Sequence, residues 1–426
     1  MPTARSGATP MRIADPALAP AGAARIHYSE RSMPLLTALA TRFAAERPFD
    51  GMTVTACLHV TPETAVLVRV LRAGGAQVAL AASNPLSTQD DIAAALAADG
   101  VAVFARAGVD RNTYYEHIHA ALADGGGPDL VVDDGGDLVS SLHESPPEKL
   151  PRGGCESTST GVLRLRRMAA EGALALPMIA CSDTPAKRLV DDRHGTGQSV
   201  VDGLLRASGI LLAGKTVVVA GFGTCGTGIA ECARGLGARV LVTEVDPVRA
   251  LDAVLRGFRV LPLAEAASIG EVFITATGSS NVITGEHMAV MRDGAILANA
   301  GHFDVEIDLP ALEQLAVRVD PGVRPHADGF ELPDGRRLFL LAEGRVVNLV
   351  AAEGHPPEVM DLAFGIEALS LAWLAENAEK LSADVHPVPP DIDAEAARLM
   401  LTALRTDIDT LTEAQRSYLA TWRIGS

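Results

Sequence analysis

The sequence predicts an α/β protein built from two Rossmann-like, doubly wound domains and a short helical C-terminal tail. Three observations carry this. Apolar, β-branched runs of strand length alternate with helix-period segments in both halves of the chain, the pattern of parallel sheets covered by helices. A glycine fingerprint, Gly221-Phe222-Gly223-Thr224-Cys225-Gly226, stands between such a strand and such a helix. Aromatic residues are only 4% of the chain while Ala, Val and Leu dominate its 48% hydrophobic content, which suits strands buried on both faces.

Taken in order, residues 1–24 are rich in Ala and Pro without an apolar core of signal-peptide length, and no later segment reaches 18 uninterrupted apolar residues. A frayed start on a soluble, cytoplasmic protein is expected. Residues 29–46 have helical spacing. Residues 52–60, 77–82, 101–105 and 129–132 then read as strands, with helices at 63–72, 88–98 and 111–123 between them. A Pro, Gly and Glu-rich passage at 144–154 reads as a surface loop, and 160–171 as a helix. Residues 178–199 mix charged and small residues without regular period, as expected of a hinge.

The second unit, 200–351, opens on strands at 217–220 and 239–243 and continues with strands at 259–262, 272–276, 295–298, 338–341 and 346–350. Helices such as 248–255 lie between them. Residues 356–375 read as a long apolar-striped helix that returns to the first domain, and 391–426 as a helical tail.

The fingerprint falls where its chemistry requires it. Gly221 permits the tight turn, Gly223 lets the backbone approach a pyrophosphate, and Gly226 lets the helix pack on its strand, whose free N–H groups face the phosphates. The second strand ends in Glu244, the acidic position expected about 20 residues on, where a carboxylate accepts both adenosine ribose hydroxyls. It would repel a 2′-phosphate, so NAD is expected rather than NADP. A net charge of −17 argues against nucleic acid or an anionic membrane as partner. The five cysteines show no paired spacing and read as reduced thiols.

Titratable residues cluster at strand ends, where α/β sites form: His59-Val-Thr61-Pro-Glu63, Ser83 to Asp90, Asp133-Asp134-Gly-Gly-Asp137, Lys187 to Asp192, Asn299-Ala-Gly-His302, and Asn348 to His355-Pro. With "GTGQS", "NAGHFDVEID", "LAEGRVVNL" and the ending Thr421-Trp-Arg-Ile-Gly-Ser, these runs resemble the adenosylhomocysteinase family over nearly the full chain. The resemblance is to its shorter lineage, which lacks the long C-terminal extension that reaches a neighbour's cofactor. It implies a substrate-binding domain of residues 1–192 and 354–390, an NAD-binding domain of 193–353 and a tail of 391–426. Bound NAD recycled in place, no metal, a purine nucleoside substrate and a homo-oligomer, a tetramer, are also implied.

The chemistry so implied is sound. The C4′–H of a nucleoside is not acidic until the 3′-hydroxyl is oxidised to a ketone. Elimination across C4′–C5′ then becomes possible, and the ketone is afterwards reduced again. By resemblance, Lys187 and Asp191 surround the 3′-hydroxyl, the lysine as a desolvated base. Asp134 and His59 serve C4′ and C5′, and His302 and His355 close the leaving-group side. Thr61 and Glu63 read adenine. Thr158, Ser159, Thr160 and Asn348 meet the nicotinamide side, and Asn299 lines the cofactor. Asp133 and Asp137 also have a plain reading as turn caps.

Three departures fall on the sugar shell. Where the family has a second glutamate in "EETTTG", this chain has Ser157. The asparagine before "D-S-x-T-K" is Ser182, and "F-D-N" is Val190-Asp191-Asp192. A hydrogen bond to a charged group is worth about 1.5–3 kcal/mol, so losing the glutamate should weaken an ordinary ribose by roughly tenfold or more unless another sugar fills the space. Asp192 beside Asp191 should raise one of the two pKa values. The reading is therefore a paralogue that dehydrates a sugar-modified adenine nucleoside to an exocyclic alkene. Hydrolysis of S-adenosylhomocysteine to adenosine and homocysteine stands as the alternative, and an inactive NAD-binding regulator as a third.

Overall fold

The computed structural model describes residues 10–422. Positions 1–9 of the expected frayed start, and the ending from Arg423 on, lie outside the described residues.

The first domain opens on α1 (Ala19–Glu30) and α2 (Pro34–Glu46). The single helix expected over 29–46 is two, because Pro34 is tolerated at the first position of a helix and not inside one. The start is not frayed as far as residue 24. Arg12 bonds Val103 and Ala105 through its backbone, and Asp15 caps the turn that leads into α1.

A strand–helix alternation follows: β1 (Thr53–Leu58), α3 (Pro62–Ala73), β2 (Gln77–Ala82), α4 (Asp90–Ala98), β3 (Ala102–Phe104), α5 (Arg111–Ala123), β4 (Leu130–Asp133), α6 (Asp137–Glu144), β5 (Gly153–Glu156), α7 (Ser159–Ala170) and β6 (Met178–Ala180). Periodicity does not reveal β5 and β6, which are short and buried throughout.

The link to the second domain is ordered. It runs through α8 (Pro185–Lys187), a π-helical turn (Arg188–Gly195) and α9 (Thr196–Ser208). The second domain holds β7 (Thr216–Ala220), α10 (Thr224–Gly235), β8 (Arg239–Thr243), α11 (Pro247–Leu255), β9 (Arg259–Val260), α12 (Leu263–Ala267), β10 (Val272–Thr275), α13 (Gly285–Val290), β11 (Ala295–Asn299), α14 (Leu309–Leu315) and the antiparallel run β12 (Arg318–Arg324), β13 (Ala327–Glu331) and β14 (Arg337–Leu341).

The strand expected at 346–350 is instead α15 (Val347–Val350), packed on α9. The chain then returns along α16 (Pro357–Asn377) to β15 (Val385–Pro387), α17 (Pro390–Ala403) and α18 (Glu413–Leu419). Ile392 and Ala396 of α17 join the first core, so the first half of the expected tail packs as part of the first domain.

The two sheets share one design. The first has the order β15-β6-β5-β4-β1-β2-β3, all parallel, and the second β12-β13-β14-β11-β10-β7-β8-β9. In each, the strand order reverses beside the first strand, at β1/β4 and at β7/β10. Crevices outside the carboxyl ends of the strands form at such points. Separate apolar cores underlie the two sheets, one seamed by α2, α3 and α16 and the other by α9 and α10. Asp361, buried on α16, accepts the Leu35 and Leu36 amides at 2.8 Å each and so caps α2.

Candidate active site

The carboxyl ends of both sheets face a common cleft of about 630 Å³. At the first switch point, His59 follows β1 and Asp134 follows β4, whose parallel register sets Cys57 opposite Asp133. His59 Nε2 lies 3.4 Å from Asp134 Oδ2, and its Nδ1 is 2.6 Å from Ser87 Oγ. His302 arrives from the second domain with Nδ1 3.8 Å from Asp134 Oδ1. Burial lowers the His59 pKa, with Asp134 pulling the other way, so the ring is a neutral proton acceptor near pH 7. Among the described residues this trio is also the one group spaced to hold a metal ion.

The loop beneath the trio is fixed from below. Asp133 accepts the Asp134 and Val139 amides, the turn-capping role open to it in the sequence, and Asp137 pairs with Arg164 at 2.8 Å. Glu156 accepts the amides of Gly135 and Thr158 at 2.9 Å. Gly135 has φ +103°, and a Cβ there would lie 2.5 Å from His302 Nε2, so only glycine leaves room for that ring.

The π-helical turn directs a second cluster inward, as such turns often do at sites. Lys187 Nζ lies 2.5 Å from Asp191 Oδ2 and 3.4 Å from Asp192 Oδ1. The other Asp191 oxygen is hydrogen-bonded to His355 Nδ1, and His355 Nε2 is 3.4 Å from Thr196 Oγ1.

These partners correct two expectations. His355 belongs with Lys187 and Asp191 rather than with His302. Lys187 is not a desolvated neutral base here: burial opposes its charge, but Asp191 and Asp192 outweigh that and hold its pKa well above the usual lysine value. The two acids diverge. Asp191, despite burial, is lowered by Lys187 and His355, whereas burial and the neighbouring Asp191 raise Asp192.

Thr61 caps α3 and lines the cleft beside Glu63. Burial raises the Glu63 pKa, eased by Ser29, which donates to it at 2.8 Å. Ser157 also faces the cleft, where its hydroxyl donates to Glu367 of α16. Ser182 is buried behind the cleft wall with its hydroxyl unpartnered. It does not reach the cavity, so of the three departures only Ser157 and Asp192 touch the space a substrate would fill.

On the second domain, Gly223, Thr224 and Cys225 line the cleft. Gly221 has φ +96°, and a Cβ on Gly226 would stand 1.9 Å from the Gly221 carbonyl oxygen. Such closeness admits only glycine and leaves the N-terminus of α10 open to a pyrophosphate. Glu244 follows β8, its carboxylate accepting the Phe222 amide at 2.7 Å through one oxygen and the Val245 and Asp246 amides through the other. Thr158, Ser159 and Thr160 line the cleft at the start of α7, and Asn348 presents a buried, unpartnered Oδ1 there. These residues fit a dinucleotide.

Asn299 does not line the cleft. Its amide is spent on Thr275, Gly301, Phe303 and Gly344, which shapes the loop carrying His302. Burial lifts the Cys225 thiol to about 12, so it is no nucleophile at neutral pH.

Sequence reasoning reached Ser87 only as part of the run Ser83 to Asp90 and did not pick out Glu367, Ser29 or Arg249, which lines the cleft by Gly223. A signal existed for Glu367 alone: it falls in the largely apolar stretch 362–371 of a long helix, where an acid is almost never buried without a partner.

The family description "S-adenosyl-L-homocysteine hydrolase" matches residues 10–150, and "S-adenosyl-L-homocysteine hydrolase, NAD binding domain" matches 192–354. The chain is 52% identical over 417 residues to an adenosylhomocysteinase of Aquifex aeolicus, covering 97% of this chain and 99% of that one. It is 53% identical over 415 residues to that of Aeropyrum pernix, with the same coverage. It is 49% identical over 416 residues to an S-inosyl-L-homocysteine hydrolase of Methanopyrus kandleri, covering 97% and 98%.

Proposed function

The chain belongs to the S-adenosyl-L-homocysteine hydrolase family and is an NAD-dependent enzyme of that family, and from that premise we propose that its substrate is a sugar-modified purine nucleoside, which it dehydrates to a 4′,5′-alkene. The observation that supports a modified sugar is the Ser157–Glu367 contact. The side chain at 157 is short and its hydroxyl is already committed, so the room that a glutamate would take in the sugar pocket is left to the ligand.

NAD, held by the glycine turn, Glu244 and the α7 start, supplies reversible oxidation at C3′. The protein's own groups do the rest. Lys187 receives the 3′-hydroxyl proton only after releasing one of its own, and Asp191 and His355 are bonded in line to take it. With a ketone at C3′, the C4′ proton becomes acidic and passes to His59 or Asp134. The departing C5′ hydroxyl takes a proton from the Asp134–His302 side and leaves as water. Hydroxide is a poorer leaving group than a thiolate, so this route needs the close trio found here.

A second reading, hydrolysis of S-adenosylhomocysteine to adenosine and homocysteine, is favoured by the identity of about half to the Aquifex and Aeropyrum enzymes over nearly the full chain. Identity at this level leaves the nucleoside open, since the Methanopyrus relative is named for a different base at nearly equal similarity. Incubation with S-adenosylhomocysteine and, separately, with a panel of sugar-modified adenine nucleosides decides between them by mass spectrometry. Loss of water from a modified nucleoside supports dehydration. Rapid release of homocysteine without turnover of the panel establishes the hydrolase.

The reading includes a cytoplasmic homotetramer that engages neither nucleic acid nor membrane. A net charge of −17 supports it, as do the exposed Leu404, Ile408, Leu411 and Leu419 near the C-terminus. No helix among the described residues is long and apolar enough to cross a membrane. Light scattering should return about four times 44.3 kDa.

A further inference from the structure

Glu367 is 2% exposed within the largely apolar stretch 362–371 of α16, an environment that penalises a carboxyl unless its oxygens are used. One oxygen accepts the Ser157 hydroxyl. The other, Oε2, is enclosed and has no hydrogen-bond partner among the described residues. The side chain nevertheless lines the cleft, within electrostatic reach of Lys187, Asp134 and Asp191.

A buried oxygen left unsatisfied beside the groups that handle the sugar calls for an explanation. A structural one is weak. Glu367 caps no helix and pairs with no cation at hydrogen-bond distance, and Ser157 could be satisfied by many smaller acceptors. Completion by a ligand hydroxyl accounts for both the burial and the unspent oxygen.

We propose that Glu367 determines specificity, its free Oε2 reading a hydroxyl of the substrate's furanose on the face that position 157 leaves open. The ligand class is a purine nucleoside whose sugar bears a hydroxyl or hydroxymethyl group reaching α16. This choice of sugar rests on the dehydration reading, whereas the residue's role does not. Burial lifts the carboxyl to about 8, and in either protonation state Oε2 keeps a lone pair to accept the ligand hydroxyl, whereas a glutamine whose oxygen keeps the Ser157 contact presents only N–H donors there.

Three variants test it: Glu367→Gln, which keeps the volume, Glu367→Ala, and the exchange Ser157→Glu with Glu367→Gln. KM and kcat are measured separately on S-adenosylhomocysteine and on the modified nucleosides, with bound NAD and melting temperature as controls. Glu367→Gln is expected to raise KM for the turned-over nucleoside tenfold or more with kcat within about threefold and NAD content unchanged. The exchange is expected to shift the preference tenfold or more toward S-adenosylhomocysteine. KM within twofold of the parent for every substrate in Glu367→Gln, with NAD intact, overturns the proposal even if Glu367→Ala fails to fold. If only S-adenosylhomocysteine is turned over by the parent, dehydration is refuted, and the KM of Glu367→Gln on that substrate still decides the role of Glu367.

Discussion

Lys187 and Asp191 form a buried ion pair, Nζ to Oδ2 at 2.5 Å, with His355 on the other carboxylate oxygen. The lysine is therefore held charged until a substrate hydroxyl and a proton path are both present. Lys187→Ala removes the group proposed to take the 3′-hydroxyl proton. Transient appearance of the reduced-nicotinamide absorbance on mixing with substrate should slow by about 10²–10⁴-fold. Reduction at the parental rate would show that another residue has this role.

Gly226→Ala places a methyl where only 1.9 Å separates it from the Gly221 carbonyl oxygen. The turn must open, and the amides at the start of α10 lose their aim at the pyrophosphate. Purified variant protein should carry less than a tenth of the parental NAD while the first domain stays folded, as judged by nucleotide in the acid-quenched supernatant and by circular dichroism.

The parent should retain NAD through purification and release it only on denaturation, because a cofactor recycled in place has no need to exchange. Fully active protein that contains no nicotinamide species and needs none added would refute this.

Glu367 offers a pH test whose sign is fixed. Its carboxyl, ordinarily at 4.5, is pushed up to about 8 by burial, with Lys187 of α8 pulling it down and Asp134 and Asp191 pushing it up. The folded state binds that proton more tightly than the unfolded chain. Its contribution is whole below pH 4.5 and is lost as pH rises through about 8. Denaturant unfolding from pH 6 to 9 should show stability falling more steeply in the parent than in Glu367→Gln. Equal slopes would mean that Glu367 does not titrate in this range.

Asp361→Ala should destabilise without touching the chemistry. The carboxylate caps α2 through two amides at 2.8 Å, so its loss should cost about 2 kcal/mol or more. A lowered melting temperature with unchanged NAD content and KM is the expected pair of results.

What could be read in the sequence had local causes. The glycine turn, Glu244 and the strand–helix alternation follow from backbone rules that act over a few residues, and the strand-end clusters at His59, Asp134 and Lys187 follow from where α/β sites form. What escaped was non-local. β5 and β6 are too short to show a period, and Asn299 looks like a cavity residue until its four hydrogen-bonded partners are seen. The Ser157–Glu367 contact joins positions 210 residues apart, so the missing glutamate was visible in the chain while the acid facing that position was not. Val347–Val350 reads as a strand by its residues and is a helix because α9 packs against it.

The Asp191–His355 bond has a mechanical meaning. Asp191 lies on the connection that leaves the first domain and His355 on the one that returns to it, so this contact ties the two covalent crossings together. Lys187, Asp191 and His355 are thus gathered on the crossings themselves, while His302, borne on the second domain, meets Asp134 and His59 on the first only across the cleft. One cluster is therefore part of the link between the domains, whereas the other exists only because the two domains meet face to face.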